Sequence, residues 1–254
     1  MIIRMESNIQ YRDFSYYYDR LTTDIDYQMW SNYIIEIINR KNLKSKRVLE
    51  MACGTGNISI NMAKLGFKVT AADFSSDMLS VAYSKALDND VSIKFLCQDM
   101  ANMMINEKFG VMLCLCDSIN YLTDDNQIIS LFNWAYDHIE DDGILIFDIN
   151  SPYKLRNIIG NNTFTYNEDD IVYIWDNYLN DDTVDFYISF FVKEGELYRR
   201  FDEIHTERIY KIDQLTQMLR HAGFSNIEIY DGFTFNSPSI KSERINFIVQ
   251  KNNS

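Results

Sequence analysis

Two glycines and two acids stand at regular intervals after apolar segments in the first half of the chain. Gly54 and Gly56 follow the first of these segments, Asp73 follows the second, and Asp99 follows the third. Glycine allows a tight turn and a close approach of a ligand to the backbone. The amides at the start of the next helix then point at that ligand. A nucleotide-binding site is one explanation of this pattern.

The residues around the glycines bear on which nucleotide is bound. Enzymes that transfer hydride from NAD carry the fingerprint G-x-G-x-x-G and place a pyrophosphate on the helix amides. Here Ala52 stands where the first glycine of such a motif is expected, and Glu50 precedes it by two residues. A carboxylate there suits an ammonium group or hydroxyls better than a diphosphate. An NAD-type oxidoreductase is therefore the less favoured alternative.

Helical and strand-like segments alternate about five times before Asn150, which predicts a parallel sheet with helices on both faces. Ligands of such sheets bind at the carboxyl ends of the strands. After Ser151, three long aromatic segments with alternating polar residues predict an antiparallel meander. A helix and two further strands follow it. The five strands of the first half are predicted at "RVLEMAC", "FKVTAAD", "VSIKFLC", "FGVMLCLCD" and "GILIFDIN".

Composition excludes several classes of protein. The chain has 254 residues, of which 46% are hydrophobic, and this is enough to bury a core. The net charge of −13 argues against general nucleic-acid binding, because phosphate contacts need clustered Lys and Arg. The four cysteines form no CxxC pair and the three histidines are scattered, so neither a zinc site nor a disulfide scaffold is expected. We expect a cytoplasmic protein with no metal, no membrane segment and no signal peptide.

The segment "EMACGTG" at 50–56 resembles motif I of class I S-adenosylmethionine-dependent methyltransferases, whose usual form is close to VLDxGCGTG. The resemblance covers roughly Tyr11 to Asn150 and includes the closing "LRHAGF" helix. Among small-molecule members, the chain is most similar to glycine N-methyltransferase and the sugar N,N-dimethyltransferases. These share the "Y…DY..W" lead-in and an antiparallel insertion after strand five. The resemblance implies S-adenosylmethionine as cofactor and S-adenosylhomocysteine as product.

The same resemblance implies an α/β fold with a doubly wound, mostly parallel, seven-stranded Rossmann-like sheet and an antiparallel β insertion after strand five. We interpret residues 1–254 as one domain, because no Pro/Gly/Ser-rich linker flanks the insertion. Within it we distinguish a helical lead-in or lid (1–45), a cofactor-binding core (46–150), the insertion as a substrate cap (151–210), and a closing helix and strands (211–254).

The resemblance also implies roles for individual residues. Asp73 would accept hydrogen bonds from both ribose hydroxyls, and Asp99 would accept one from the adenine amino group. Glu50 would hold the glycine loop or reach the amino group of the cofactor. Trp30 and Met78 fit the core equally well. The implied cofactor-binding residues are Tyr18, Tyr27, Trp30, Glu50, Ala52, Cys53, Gly54, Gly56, Asp73, Phe74, Met78, Asp99, Met100, Leu115, Cys116 and Ser118.

The implied reaction is an in-line displacement at an activated methyl group, for which an enzyme mainly aligns the reacting atoms and excludes water. A general base is needed only if the nucleophile must lose a proton. Candidate catalytic residues after strand four are Asp117, Asn120 and Tyr121, and His205 is more readily explained as a structural residue. No "NPPY" motif of nucleic-acid amino methyltransferases follows strand four.

A small-molecule acceptor is therefore expected. Methylation at N and at O both stay open, as do a monomer and a homodimer. A non-catalytic protein that binds the cofactor or its demethylated product is the other open alternative.

Overall fold

The computed structural model of the protein describes residues 14–22, 25–168 and 170–251. Of the predicted lead-in, residues 1–13, which include Tyr11, and residues 23–24 lie outside the described part of the chain. Within the described ranges, no helix is long and apolar enough to cross a membrane.

Helices and strands alternate through the first half of the chain, as the apolar periodicity predicts. Helices α1 to α6 span Phe14–Leu21, Tyr27–Arg40, Asn57–Lys64, Ser76–Asp88, Asp125–His138 and Ile212–His221. Strands β1 to β5 span Arg47–Met51, Lys68–Asp73, Lys94–Cys97, Phe109–Cys114 and Ile139–Asn150. Strands β6 to β11 span Thr163–Glu168, Ile171–Leu179, Thr183–Glu194, Leu197–Arg208, Asn226–Asp231 and Arg244–Gln250. Short 3₁₀ turns cover Met100–Asn102 and Ser118–Tyr121, and a π-helical turn covers Lys154–Ile159.

Seven strands form the main sheet in the order β10-β11-β5-β4-β1-β2-β3. Strands β1 to β5 pair in parallel, and β11 runs antiparallel to both of its neighbours, β5 and β10. The prediction of a doubly wound, mostly parallel seven-stranded sheet is confirmed. Because β1 lies between β2 and β4, the loops after these three strands meet at one edge.

Helices cover both faces of this sheet. Successive residues of β1 point to opposite faces, so Val48 packs with the side chains of α2 and α3, whereas Leu49 packs with those of α5 and α6. Both residues are fully buried. This two-sided burial explains why the strands are nearly continuous apolar runs in the sequence.

The segment after β5 forms a separate four-stranded antiparallel sheet in the order β6-β7-β8-β9. Successive side chains of β8 point to opposite faces of this sheet. Phe186 and Phe190 lie on a buried face, and Tyr187 lies on a more exposed one. The prediction of an antiparallel insertion after strand five is confirmed. Three strands were predicted for this insertion, and β6 was not among them, because its "TFTYNE" is polar and largely exposed. Strand β5 also starts earlier than predicted, because Ile139–Asp142 extends it.

Gly223, which follows α6, lies close to the ring of Tyr136 in α5. Gly223 has φ +107°, and a Cβ there would lie 2.8 Å from two atoms of the Tyr136 ring. Gly195 also has a positive φ, +65°, but a Cβ there would meet nothing within 4 Å. We expect Gly223→Ala to lower the free energy of unfolding by about 1–3 kcal/mol more than Gly195→Ala, because it adds overpacking to the backbone strain. Urea denaturation of both variants measures the difference, and equal losses would contradict it.

Candidate active site

The carboxyl ends of β1, β2, β3 and β4 open into a cavity of ≈ 770 Å³. Helix α1 and the four-stranded insertion sheet form its other walls. Most of the residues predicted from the sequence come together there. Those that line it are Tyr18, Tyr27, Glu50, Ala52, Cys53, Gly54, Asp73, Phe74, Met78, Asp99, Met100, Leu115, Cys116, Asp117, Ser118 and Tyr121. Their predicted contacts with a cofactor stay predictions.

Two of the predicted binding residues lie elsewhere. Trp30 does not line the cavity; it is 2% exposed and packs edge-on against Phe233, with ring centroids 4.5 Å apart. Trp30 therefore packs in the core, which was one of its two interpretations, and its contact with a cofactor stays a prediction. Gly56 is also absent from the lining. It has φ +77° and precedes α3, where a Cβ would lie 3.0 Å from that of Ala82.

Asn120, one of the catalytic candidates, is fully buried and does not line the cavity. Its amide nitrogen donates to the backbone carbonyls of Arg208 at 2.8 Å and Asn150 at 3.3 Å. Its amide oxygen accepts from the Asn150 backbone N–H at 3.0 Å. Asn120 therefore joins the end of β5 to the end of β9, and its reacting role stays a prediction.

The glycine loop after β1 is held by the acid at the end of β2. The Gly54 N–H donates to Asp73 Oδ2 at 2.7 Å, and the Ser75 N–H donates to Asp73 Oδ1 at 2.9 Å. Burial raises the pKa of Asp73, although these backbone hydrogen bonds act in the opposite direction. Ala52 and Gly54 both have positive φ, at 55° and 53°. One carboxylate thus shapes the loops after two neighbouring strands.

Glu50 lies beneath this loop and is almost completely buried. Ser59, in α3, donates its hydroxyl to Glu50 Oε2. Burial raises the pKa of Glu50 to about 8, and the nearby charge of Asp73 contributes in the same direction. In its protonated form, Glu50 holds the start of α3 against β1 through Ser59, and its side chain lines the cavity.

The residues predicted to lie near adenine occupy the turn after β3 and the start of α4. Asp99 accepts a hydrogen bond from the Ala101 N–H at 2.9 Å and so begins the turn Met100–Asn102. Phe74 is 44% exposed, whereas Met78 is buried and also packs in a core cluster with Phe14. Met78 therefore serves the core and the cavity wall together.

Asp19 connects helix α1 to the glycine loop and to α4 through hydrogen bonds. Its carboxylate accepts hydrogen bonds from Thr55 Oγ1 at 2.6 Å, from Asn57 Nδ2 at 2.9 Å and from Lys85 Nζ at 2.5 Å. Burial acts to raise the pKa of Asp19, but the bonds from Lys85, Thr55 and Asn57 outweigh it and lower that pKa. Nothing in the sequence spacing indicated this three-element contact.

A second buried ionic group lies where β4 and β5 end and β11 begins. Arg244 pairs with Asp148, and its Nη2 lies 2.9 Å from Asp117 Oδ1. The Asp117 N–H also donates to Asp148 Oδ2 at 3.0 Å. Burial acts to lower the pKa of Arg244, but the charges of the two acids outweigh it and raise that pKa. Sequence reasoning placed Asp117 at this site but missed both of its partners.

The insertion sheet closes the cavity with an aromatic wall that was not predicted residue by residue. Alternate residues of β9, including His205 and Glu207, point inward among aromatic side chains. Burial lowers the pKa of His205 to about 4, so its imidazole is neutral near pH 7. The sequence does contain a sign that these side chains share a face. In a strand, alternate residues of "EIHTE" place Glu203, His205 and Glu207 on the same side. Further lining residues of this wall are Phe164, Tyr166, Tyr173, Trp175, Phe186 and Ile188.

The arrangement has two chemically different halves. The half at the ends of β1 to β3 offers carboxylates and a glycine loop, which suit hydroxyls, an amino group and a purine. The half under the insertion sheet is aromatic and contains the neutral His205 and the acid Glu207. Among the described residues, no group of three or more His, Cys, Asp or Glu side chains is placed to hold a metal ion. A cavity of this kind can bring two organic molecules together away from water.

Comparisons with known proteins agree with this geometry. A family model described as a methyltransferase domain matches residues 48–143. The chain is 36% identical over 245 residues to a protein of Geobacillus sp. (strain WCH70) that is classed with the methyltransferases, covering 95% of this chain and 99% of the relative. It is 39% identical to an S-adenosylmethionine-dependent methyltransferase from Clostridium acetobutylicum ATCC 824, whose crystal structure it matches with a TM-score of 0.88 over 96% of this chain and 99% of that one.

A more distant solved structure shares the fold. The sugar N-methyltransferase from Streptoalloteichus sp. ATCC 53650 is 14% identical and superposes with a TM-score of 0.80, covering 100% of this chain and 98% of the other. At this identity the likeness concerns the arrangement of helices and strands.

The buried acid beneath the glycine loop makes stability depend on pH. Folding raises the pKa of Glu50 from 4.5 to about 8, so between these values the folded chain holds a proton that the unfolded chain has released. The stability contributed by this proton is fully present below the lower value and is lost as pH rises through the upper one. We expect Glu50→Gln to lose less stability than the wild type between about pH 5 and about pH 8. Urea denaturation across this range measures it.

Glu196→Gln is the matched control, because Glu196 lies exposed in the turn between β8 and β9. That variant should follow the wild-type pH dependence. If Glu50→Gln and Glu196→Gln gave the same slope, the buried proton on Glu50 would be refuted.

Proposed function

Because the chain belongs to the S-adenosylmethionine-dependent methyltransferases, we propose that it transfers a methyl group to a nitrogen or oxygen atom of a small-molecule acceptor. The predicted family, enzyme class and cofactor are confirmed by its relatives. The kind of acceptor and the roles of individual residues do not follow from these relatives and are part of the proposal. The observation that carries the proposal is the single cavity that joins an acidic, glycine-bounded half to an aromatic half.

The residues present fit the cofactor in their donor and acceptor chemistry. The backbone amides of Gly54, Phe74 and Ser75 donate to the Asp73 carboxylate. A carboxylate can accept about four hydrogen bonds, so Asp73 keeps an acceptor position for the ribose hydroxyls. Asp99 uses Oδ1 for the Ala101 N–H and can accept from the adenine amino group. Glu50 and the loop at 52–54 would hold the methionine end.

The charge of the cavity also suits the cofactor. When bound, S-adenosylmethionine supplies an activated methyl group on a sulfonium, which is a cation. The acids Asp73 and Asp117 line the cavity, and Arg244 balances part of their charge. Tyr27 and Tyr18 add aromatic faces, which attract cations. The protein contributes electrostatic attraction, alignment of the reacting atoms and exclusion of water.

The remaining partner predictions stay expectations. All four cysteines, Cys53, Cys97, Cys114 and Cys116, are free, which supports a reducing, cytoplasmic environment. The net charge of −13 supports a small-molecule acceptor over a nucleic acid. We expect a monomer or a homodimer.

Substitution of the ribose-binding acid tests the proposed cofactor contacts. We expect Asp73→Asn to weaken the affinity for S-adenosylhomocysteine by about 10- to 100-fold, because charge-assisted hydrogen bonds are lost. S-adenosylmethionine should lose the same factor, since both molecules carry the same ribose. Isothermal titration calorimetry measures both constants. Asp77→Asn is the control, because Asp77 lies in the first turn of α4 but does not line the cavity. Unchanged affinity in Asp73→Asn would remove the ribose role.

Transfer itself is tested with S-adenosylmethionine labelled on the methyl group. The wild-type protein should label at least one member of a panel of amines, amino sugars and phenols, and heat-denatured protein should label none. Tight binding of S-adenosylhomocysteine without any labelled product across the panel would favour a non-catalytic cofactor-binding protein instead.

A further inference from the structure

We propose that the acceptor is an amine with an apolar body and that Glu207 is the residue that receives it. The Glu207 carboxylate binds the ammonium group of the acceptor and takes its proton before the methyl group is transferred. This inference rests on the methyl transfer proposed above and assigns a catalytic role that the sequence spacing did not indicate.

Glu207 lies on β9, is 2% exposed and lines the cavity. Asn150 Nδ2 donates to its Oε2 at 2.9 Å. Among the residues that the structure describes, none donates a hydrogen bond to Glu207 Oε1. Because Glu207 lines the cavity, this oxygen can accept a hydrogen bond from a molecule bound there. An ammonium group in the cavity is such a donor.

A chain of hydrogen bonds fixes where this carboxylate points. Lys154 Nζ donates to Asn150 Oδ1 at 2.9 Å, so the amide oxygen of Asn150 faces Lys154 and its nitrogen faces Glu207. Asn120 holds the backbone of both Asn150 and Arg208, the residue after Glu207. These contacts place Glu207 beside the loop after β4, where Leu115 to Ser118 line the cofactor half of the cavity.

The groups around Glu207 favour a basic carboxylate and a cationic ligand. Burial raises the pKa of Glu207 to about 8, the charge of Asp117 adds to the rise, and Asn150, Lys154 and Arg244 act against it. His205, two residues before it on the same face, is neutral because burial lowers its pKa to about 4. The charge of Arg244 is already shared by Asp117 and Asp148. Lys154 is separated from Glu207 by the Asn150 amide.

The rest of this half suits the body of an organic amine. Phe164, Trp175 and Phe186 line it as an apolar wall, and Tyr173 and Tyr121 add further aromatic side chains. Aromatic faces attract cations as well as apolar groups, so this wall and the Glu207 carboxylate favour the same ligand. A neutral alcohol would gain the apolar contacts but would not use the charge of the carboxylate.

Protons and charges balance in the proposed step. The N–H bond of the ammonium breaks, its proton passes to Glu207, and the neutral amine keeps the electron pair. That pair forms the new N–C bond to the methyl carbon while the C–S bond breaks and its electrons remain on sulfur. One ammonium, one sulfonium and one carboxylate become one methylated ammonium, one neutral thioether and one carboxylic acid. Glu207 then releases its proton to water after the products leave.

Binding of three matched probes to the protein saturated with S-adenosylhomocysteine tests the recognition at about pH 9, where Glu207 is ionised and the amine still holds its proton. The probes are 2-phenylethylamine, 2-phenylethanol and 3-phenylpropionate, which share a phenyl group and differ in the charge at the other end. The amine should bind at least about tenfold more tightly than the alcohol or the acid, because only it pairs with a buried carboxylate. Glu207→Gln should remove this preference while its affinity for S-adenosylhomocysteine stays within about twofold of wild type.

Turnover of 2-phenylethylamine with methyl-labelled S-adenosylmethionine tests the proton transfer. We expect Glu207→Gln to lower kcat/KM by about 100-fold or more. The wild-type profile should be bell-shaped, rising as Glu207 ionises and falling as the amine loses its proton near about pH 10. In Glu207→Gln only a rise with the amine's own ionisation should remain. Glu203→Gln is the control, because Glu203 is a buried acid of the same strand that does not line this cavity, and it should keep the bell.

The outcomes separate this inference from the proposed function. If the wild type prefers 3-phenylpropionate or the alcohol, binds none of the probes, or keeps its amine preference in Glu207→Gln, the role of Glu207 is refuted. Methylation of phenols by both wild type and Glu207→Gln at equal rates would refute it while leaving methyl transfer intact. Failure of the wild type to bind S-adenosylmethionine would instead refute the proposed function.

Discussion

The burial of several carboxylates around one cavity is the constraint on which the rest of this structure depends. Glu50, Asp73, Asp148 and Glu207 are all almost inaccessible to solvent. A buried acid is costly unless it is protonated or receives hydrogen bonds, and each of these four meets that requirement differently. Glu50 receives a hydrogen bond from a hydroxyl group, Asp73 from three backbone amides, Asp148 from a guanidinium and Glu207 from a side-chain amide. The donors come from different elements, so satisfying the acids also sets the shape of the site.

These contacts tie the ends of the chain to its middle. Arg244 stands at the start of β11, yet its charge is used by Asp117 after β4 and by Asp148 in β5. It reaches them because β11 is inserted antiparallel beside β5 and brings its first residue to the carboxyl ends of the parallel strands. Helix α1 is brought to the same edge by Asp19, which binds Lys85 and the glycine loop. The order of strands therefore determines which charges are available in the cavity.

Local sequence signals predicted the parts of the site that depend on one loop at a time. Asp73 and Asp99 each follow an apolar strand, and in a parallel sheet such positions share an edge whatever the rest of the chain does. Glu207, Lys154 and Arg244 could not be found in this way, because their positions depend on pairings between distant strands. The sequence left both roles of Trp30 open, because an aromatic residue at helical spacing fits a core and a cavity wall equally well. Strand β6 was missed because its largely exposed, polar residues carry little hydrophobic periodicity.

The acids of the cavity affect the binding of both the cofactor and the proposed acceptor, because both molecules carry positive charge. The cofactor carries a sulfonium and an amino group, and the half of the cavity proposed to bind it contains the acid Asp73. A second cation in the same cavity would be repelled by the first unless another negative charge lay beside it, since Coulomb interactions are strong where water is excluded. In the proposed reaction, ionised Glu207 supplies that charge, and the transfer of one proton to it removes the repulsion when the nitrogen must approach the methyl carbon. The neutral His205 beside it adds no positive charge. A cavity that binds two cations in this way needs an acid whose pKa is raised enough to take up a proton. Burial on β9 raises the pKa of Glu207 to about 8.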